Sequence, residues 1–339
     1  MSSRREYDES DVRIRPSRTT RRRSKDRPSH DGSSTALVIS VDRGRTGCVL
    51  NNGQLVVAMK ARELGPKSVV VGDRVEVVGD ISGDVGTLAR IVKVNERTNS
   101  LSRTVDDAAK FERTIVSNLD SMVIVVAAAN PEPRRGLIDR FLVSAFIEKI
   151  HPIILITKVD VAPVPEWMDS YRLLGVDILT TSSKTENRAD EINEISALLA
   201  SKVSVLVGHS GVGKSTLIND LVPEADRLTG DVNDVTGRGR HTSSSAIALQ
   251  LPAGGWIIDT PGIRAFGLAH RDPREIVRAF EDLTEITESC PPHCSHAEDA
   301  CALNEWMDSD PELRASRHAR VDSLRSLLEV KVIESGHDD

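Results

Sequence analysis

Residues 203–222 constrain the chain more than any other stretch. Val203-Ser-Val-Leu-Val207 reads as a buried strand and runs directly into Gly208-His-Ser-Gly-Val-Gly213-Lys214-Ser215-Thr216. Leu217-Ile-Asn-Asp-Leu-Val222 then continues at helical spacing. The nine central residues satisfy GxxxxGK[ST] between a strand and a helix start. A turn poor in Cβ atoms lets consecutive backbone N–H groups curl around a polyphosphate. The helix behind it adds its unpaired N-terminal donors and its dipole. On this reading Gly208, Ser210, Gly211, Val212, Gly213 and Thr216 line the phosphates. Lys214 sits on the β- and γ-phosphates, and the Ser215 hydroxyl ligates Mg²⁺. A glycine-rich surface turn is the competing reading. It requires strand, both end glycines, Lys and Ser to fall into register by coincidence, so we read a nucleoside triphosphate site.

The 339 residues suffice for two or three domains with buried cores. No apolar run approaches the ~20 residues of a membrane span. The N-terminus is charged but has no apolar segment of a secretory signal. Three of the four cysteines crowd between 290 and 301, which points to a metal site in a reducing compartment rather than a disulfide framework. A cytoplasmic protein without membrane association, acting as a monomer, is expected. Net charge is −7, yet residues 1–34 hold ten Arg or Lys against six Asp or Glu. A polyanion would therefore meet the tail or local patches, not the field of the whole body.

Four regions follow. Residues 1–34, with Arg21-Arg22-Arg23-Ser24-Lys25, lack apolar periodicity and read as a disordered basic tail, either grazing RNA or serving solubility. Residues 35–97 alternate in short runs: 36–41, 47–50, 54–59, Val69–Val71, 74–78 and 89–94, with Asn52-Gly53 as a hairpin turn. Such a pattern predicts a small closed β-barrel of OB-fold type, with Cys48 as an inert core thiol. Residues 98–270 read as alternating strands (121–128, 152–156, 178–181) and helices (137–147, 189–199). They imply a mostly parallel sheet with helices on both faces. Residues 271–339 hold the cysteines and a helix over 311–333, spaced through Leu313, Val321, Leu324, Leu327 and Leu328.

Directly after the strand 152–156 stands Thr157-Lys158-Val159-Asp160, which is similar to the NKxD element that reads guanine, with Thr in the Asn position. A carboxylate at a strand end accepts from both N1–H and the exocyclic amine of guanine. Adenine lacks that donor pair and would leave Asp160 desolvated and unpaired. The Lys158 stem covers the base. Loss of the Asn amide removes a brace on the loop, so a modest affinity is expected. Ser182-Ser183-Lys184 after the strand 178–181 fits the backbone contact to guanine O6. These elements precede the phosphate loop, whereas in most GTPases they follow it. The sheet survives that order only by circular permutation.

The two switch segments then fall at the C-terminal end of the domain. Trp256-Ile-Ile258 leads into Asp259-Thr-Pro-Gly262; Asp259 is expected to hold Mg²⁺ through water and the Gly262 N–H to sense the γ-phosphate. Ile263 follows where many GTPases keep a water-orienting Gln. An aliphatic chain cannot orient water, so a low intrinsic rate is expected. The stretch Thr236-Gly-Arg-Gly-Arg-His241-Thr242-Ser-Ser-Ser245 is glycine-rich and predicts an order–disorder switch. Thr242 closes on Mg²⁺, with Ser243 or Ser244 as substitutes. His241 either places the attacking water or is a solvated or RNA-contacting loop histidine.

Cys290-Pro-Pro-His293-Cys294-Ser-His296-Ala-Glu-Asp-Ala-Cys301 offers three thiolates and an imidazole, a closed set suited to one structural Zn²⁺. His296 is the preferred fourth ligand and His293 its rival.

Barrel, permuted GTPase and Cys/His module in this order resemble the RsgA (YjeQ) family of ribosome small-subunit-dependent GTPases. The resemblance spans roughly residues 35–330. It rests on GHSGVGKST, the preceding TKVD, GRHTSSS, DTPGIRAFGL and the cysteine cluster. It implies GTP/GDP, Mg²⁺ and one Zn²⁺ as ligands, and the small ribosomal subunit and its rRNA as partners. Stimulation by that particle in late maturation is implied as well, with His241 at the family's proposed catalytic position. The chain departs from the family in its C-x₃-C-x-H-x₄-C spacing, one residue shorter than usual in two gaps. Two other classes compete: a P-loop ATPase or kinase with an accessory barrel, and a non-enzymatic RNA-binding module with GTP as structural ligand.

Overall fold

The computed structural model describes residues 32–335 other than 43, 66–67, 85, 105–111, 226–245 and 261–271. The arginine-rich tail up to residue 31 lies outside the described residues, as do the switch residues 230–245 and 261–268.

Short alternating runs form β1 (Ser34–Asp42), β2 (Arg45–Leu50), β3 (Leu55–Lys60), β4 (Arg74–Gly79) and β5 (Ala89–Val94). Their ladder runs β1-β2-β3-β5-β4 and closes through pairing of β1 with β4. The result is the closed five-stranded barrel expected, with only β3 and β5 parallel among its pairs. Every second residue points inward, so Val38, Cys48, Val56, Ala58, Val75 and Ile91 make the core. Burial pushes the Cys48 thiol up to about 12, which keeps it neutral and unreactive. Asn52 and Gly53 turn the β2–β3 hairpin, with Gly53 N–H donating to Leu50 O.

Val69–Val71 is not a strand. The buried Asp73 carboxylate accepts Val70 N–H at 2.8 Å, and Asp73 N–H donates back to Val70 O. This local pairing folds the segment into a turn, leaving only Val71 bridged to Val116. Asp73 also accepts from Arg97 (2.7 and 2.9 Å) and from Ser117 Oγ at 2.6 Å. Ser117 ends β7 (Glu112–Ser117), which pairs with β6 (Ser100–Thr104) in a hairpin that the sequence reading omitted. A charge without water thus finds a full set of donors where the barrel meets the next layer.

The central sheet is built from β8 (Ser121–Ala127), β9 (His151–Thr157), β10 (Asp177–Thr181), β11 (Val203–Val207), β12 (Ile247–Gln250) and β13 (Trp256–Asp259). Its order is β10-β9-β8-β11-β13-β12, parallel except for β12. β8 and β11 are buried along their whole length, as strands covered on both faces must be. Helix α1 (Arg135–Ile147) covers one face with Ile138, Phe141 and Leu142. Helices α2 (Arg188–Leu199) and α3 (Lys214–Leu221) cover the other with Ile195, Leu199, Leu217 and Leu221.

A helical cluster follows: α4 (Pro273–Arg278), α5 (Glu281–Thr287), α6 (Ala302–Asp308) and α7 (Arg314–Ser335). Asp272 caps α4 by accepting Arg274 N–H at 2.8 Å, with Pro273 in the first turn. Ile276, Phe280, Leu283, Leu303, Val321 and Leu324 form its core, to which α1 contributes Val143. Leu313 precedes α7 and is exposed, so it does not join the stripe its spacing suggested. Among the described residues no helix is long and apolar enough to cross a membrane.

Candidate nucleotide and metal sites

In-register parallel pairing brings the carboxyl ends of five strands to one edge. Thr181 pairs with Thr157, Thr157 with Ala127, Val207 with Ile124, and Asp259 with Leu206. Ligands of open α/β sheets bind at this edge. The Gly208–Gly213 turn leaves β11 there, and α3 opens at Lys214. Gly208 has φ +141°, and a Cβ on it would lie 2.3 Å from Val125 O. Gly213 has φ +100° and faces Thr157. Side chains at either position would be strained, so the motif's two end glycines serve the backbone path itself.

The Thr157–Asp160 loop lies against the Gly208–Gly213 turn. Thr157 Oγ1 donates to Val212 O at 2.6 Å. Lys158 Nζ donates to Gly211 O at 2.8 Å and to Asn130 O. The loop is thus braced despite the missing Asn amide, by the hydroxyl of the buried Thr157. This corrects the inference of a loosened loop. Asp160 accepts from Ser182 Oγ and lies 3.8 Å from Lys184 Nζ. The Ser182 hydroxyl, ahead of Lys184, holds its carboxyl below the usual carboxylate range, fully ionised as a two-oxygen acceptor. Of the Ser182-Ser183-Lys184 amides, Ser182 N–H goes to Glu191 and Lys184 N–H to Ser182 Oγ. Ser183 N–H has no hydrogen-bond partner among the described residues.

On the phosphate side, Lys214 Nζ donates to Gly208 O (2.8 Å) and His209 O (2.9 Å). Burial lowers its pKa and the Asp259 charge opposes that. Burial likewise raises Asp259, with Lys214 opposing. Ser215 and Thr216 are exposed at the start of α3. A desolvated carboxylate at one strand end and a hydroxyl at a helix start are the oxygen donors a hard cation takes, so Ser215 and Asp259 fit Mg²⁺. His241, Thr242, Ser243, Ser244 and Gly262 lie outside the described residues.

The second site is the Cys/His cluster. One ligand atom each from Cys290, Cys294, His296 and Cys301 lie within 4.8 Å of one another. Cys290 Sγ is 3.7 Å from His296 Nδ1 and 3.8 Å from Cys301 Sγ, which is 3.8 Å from the same imidazole nitrogen. Tetrahedral ligation at metal–sulfur distances of about 2.3 Å requires edges of about 3.8 Å, and the donor set fits. Within this loop His293 and His296 both take positive φ, +64° and +66°. His293 is exposed and stands outside this group. Burial lowers His296, keeping the imidazole neutral as a ligand must be. Arg325 Nε holds His296 O at 2.7 Å, tying the knuckle to α7.

Sequence reasoning passed over Asn130 and Glu191, which bond Lys158 and Ser182, and the Arg188–Asp220 pair beside them. Only Glu191 left a signal, as part of the acidic first turn of the helix after Ser182–Lys184.

Comparison with known proteins adds three findings. A family model described as RsgA GTPase matches residues 94–269. The chain is 33% identical over 277 residues to Small ribosomal subunit biogenesis GTPase RsgA 1 of Vibrio vulnificus (strain YJ016), covering 79% of this chain and 76% of the relative. It is 38% identical over 252 residues to Small ribosomal subunit biogenesis GTPase RsgA of Shewanella oneidensis, covering 71% and 70%. Among solved structures, YjeQ from Thermotoga maritima superposes with TM-score 0.64 at 26% identity, over 87% of this chain and 99% of that one. YloQ, described as a circularly permuted GTPase, shares the fold with TM-score 0.64 at 23% identity, over 90% and 98%.

Proposed function

The chain belongs to the RsgA GTPase family, and from that premise we propose that it hydrolyses GTP to GDP and phosphate in the biogenesis of the small ribosomal subunit. The observation that carries the reading is the junction of two motifs separated in the chain. Thr157 and Lys158 hold the carbonyls of Val212 and Gly211, so a base held at Asp160 and phosphates held at Lys214 belong to one molecule.

Asp160 accepts from N1–H and the amine of guanine, Ser183 N–H meets O6, and the Lys158 stem lies along the base. Lys214 leaves the carbonyls of Gly208 and His209 for the β- and γ-phosphates, and the Gly208–Thr216 backbone cradles them. Ser215 and Asp259 would hold Mg²⁺, whose charge would offset that of the β- and γ-phosphates. Thr242 and Gly262 complete the γ-phosphate shell, and His241 orients the attacking water. Ile263 cannot do so, which makes the intrinsic rate low and leaves acceleration to the ribosomal particle. Cys290, Cys294, His296 and Cys301 hold one Zn²⁺ as a closed structural site. The names of the Vibrio and Shewanella relatives support a role on the small ribosomal subunit; contact with its rRNA, a monomeric state and a cytoplasmic location belong to the same proposal.

The test is GTP turnover with and without purified small subunits. Turnover should rise with subunit concentration and saturate. A flat response would leave the GTP site intact as a reading and remove the ribosomal role.

A further inference from the structure

Glu191 lies in the first turn of α2, yet its carboxylate serves the loop before the helix. Oε2 accepts from Thr181 Oγ1 at 2.9 Å and from Ser182 N at 3.1 Å, and Oε1 accepts from Thr185 Oγ1 at 3.1 Å. A first-turn carboxylate that only caps its helix would accept from amides at the helix start. Here one carboxylate gathers three donors from residues 181–185. The Ser182 it fixes passes its own hydroxyl to Asp160 Oδ1 and takes Lys184 N–H at 3.1 Å.

The same loop is tied to the phosphate side. Arg188 donates to Thr181 Oγ1 at 2.8 Å and pairs with Asp220, on the helix that begins at Lys214. Glu191 thus closes a path from the base-reading carboxylate to the phosphate-binding helix. With Ser182 N–H on Glu191 and Lys184 N–H on Ser182 Oγ, Ser183 N–H is the amide of these three without a partner among the described residues.

We propose that Glu191 is a positioning residue for guanine recognition: it holds Ser182 so that the Asp160 carboxylate and the Ser183 N–H present to one purine together. The proposal rests on the reading of Asp160 as the guanine acceptor. Charge-assisted hydrogen bonds of this kind are strong enough to set the pose of a loop. A preorganised acceptor pair discriminates bases better than a wandering one.

The test is competition of GDP, IDP and XDP against fluorescent GDP on the full chain, with GTP kinetics alongside. IDP lacks only the exocyclic amine, so the GDP-to-IDP affinity ratio reports the two-oxygen contact at Asp160. Glu191→Ala should weaken GDP by about tenfold and lower that ratio by about fivefold, as loss of a charge-assisted contact does. The kinetic loss should fall on KM, with kcat within about twofold. Glu191→Gln keeps an acceptor for Ser182 N–H and should retain the ratio. Should the alanine variant not fold, Glu191→Met, of similar volume and helix propensity but without acceptor oxygens, should show the same loss. Equal weakening of GDP and IDP, or an unchanged ratio, would reduce Glu191 to a structural brace and overturn the proposal. Asp160→Asn separates the two levels. If it fails to shift preference toward XDP, the reading of Asp160 falls and takes the proposal with it. If it shifts preference while Glu191→Ala leaves the ratio unchanged, only the proposal falls.

Discussion

The nucleotide cleft and the Cys/His knuckle are assembled in opposite ways. The cleft draws Thr157, Ser182, Lys214 and Asp259 from four strand ends, and only sheet register brings them to one edge. The knuckle draws its four ligands from Cys290 to Cys301, within one short loop. Residues of the first are held by surrounding protein whether or not a ligand is bound. In the second, burial pushes the Cys290 and Cys294 thiols up, Cys294 to about 12, and a bound ion would have to displace their protons. Position is therefore set by sheet register at one site and by a single short loop at the other.

Three perturbations break or sharpen this contrast. Lys214→Ala should have the largest effect, lowering GTP turnover by about a thousandfold, the scale of a lost phosphate-clamping charge. The melting temperature should change far less, since the hydrogen bonds of Lys214 go to two loop carbonyls and its other interaction is with the Asp259 charge; single-turnover assays and calorimetry check both halves. Zinc removal by a chelator should act in reverse. Hydrogen exchange should accelerate through α4 to α7 and melting should fall by about 10 °C, as loss of a structural ion implies. GDP affinity by fluorescence titration should stay within about twofold. The smallest effect concerns Asp259, whose pKa is raised by burial in the nucleotide-free fold. Its contribution is intact below the ordinary value of 3.8 and is lost as pH rises through the raised folded value. Asp259→Asn should therefore melt about 2 °C higher near neutral pH, with the gain vanishing below that range. Magnesium-dependent nucleotide affinity should fall in the same variant.

Legibility followed locality. The phosphate loop, TKVD and the cysteine cluster each declare themselves within a dozen residues, because their chemistry needs fixed types at fixed spacing. Strand-like and helical runs revealed the barrel and the permuted sheet, since both bury alternating or continuous apolar faces. The β6–β7 hairpin did not show, because Ser102, Arg103, Arg113 and Thr114 interrupt any apolar alternation. Val69–Val71 misled for the converse reason. Three β-branched residues read as a strand, but the buried Asp73 draws their backbone into a turn. Thr157 looked like a loss, since its bond to Val212 O spans 55 positions. Glu191 and the Arg188–Asp220 pair were invisible for the same cause: side-chain reach across elements leaves no local pattern.

The central claim is that segments in permuted order hold opposite ends of one guanine nucleotide. Hydrogen exchange of the full chain, titrated with Mg·GDP, tests it most directly. Residues 157–160, 181–185 and 208–216 should gain protection together, with one shared midpoint, while ADP at the same concentrations leaves all three unchanged. Protection confined to 208–216, or separate midpoints for the base-reading and phosphate segments, would contradict it.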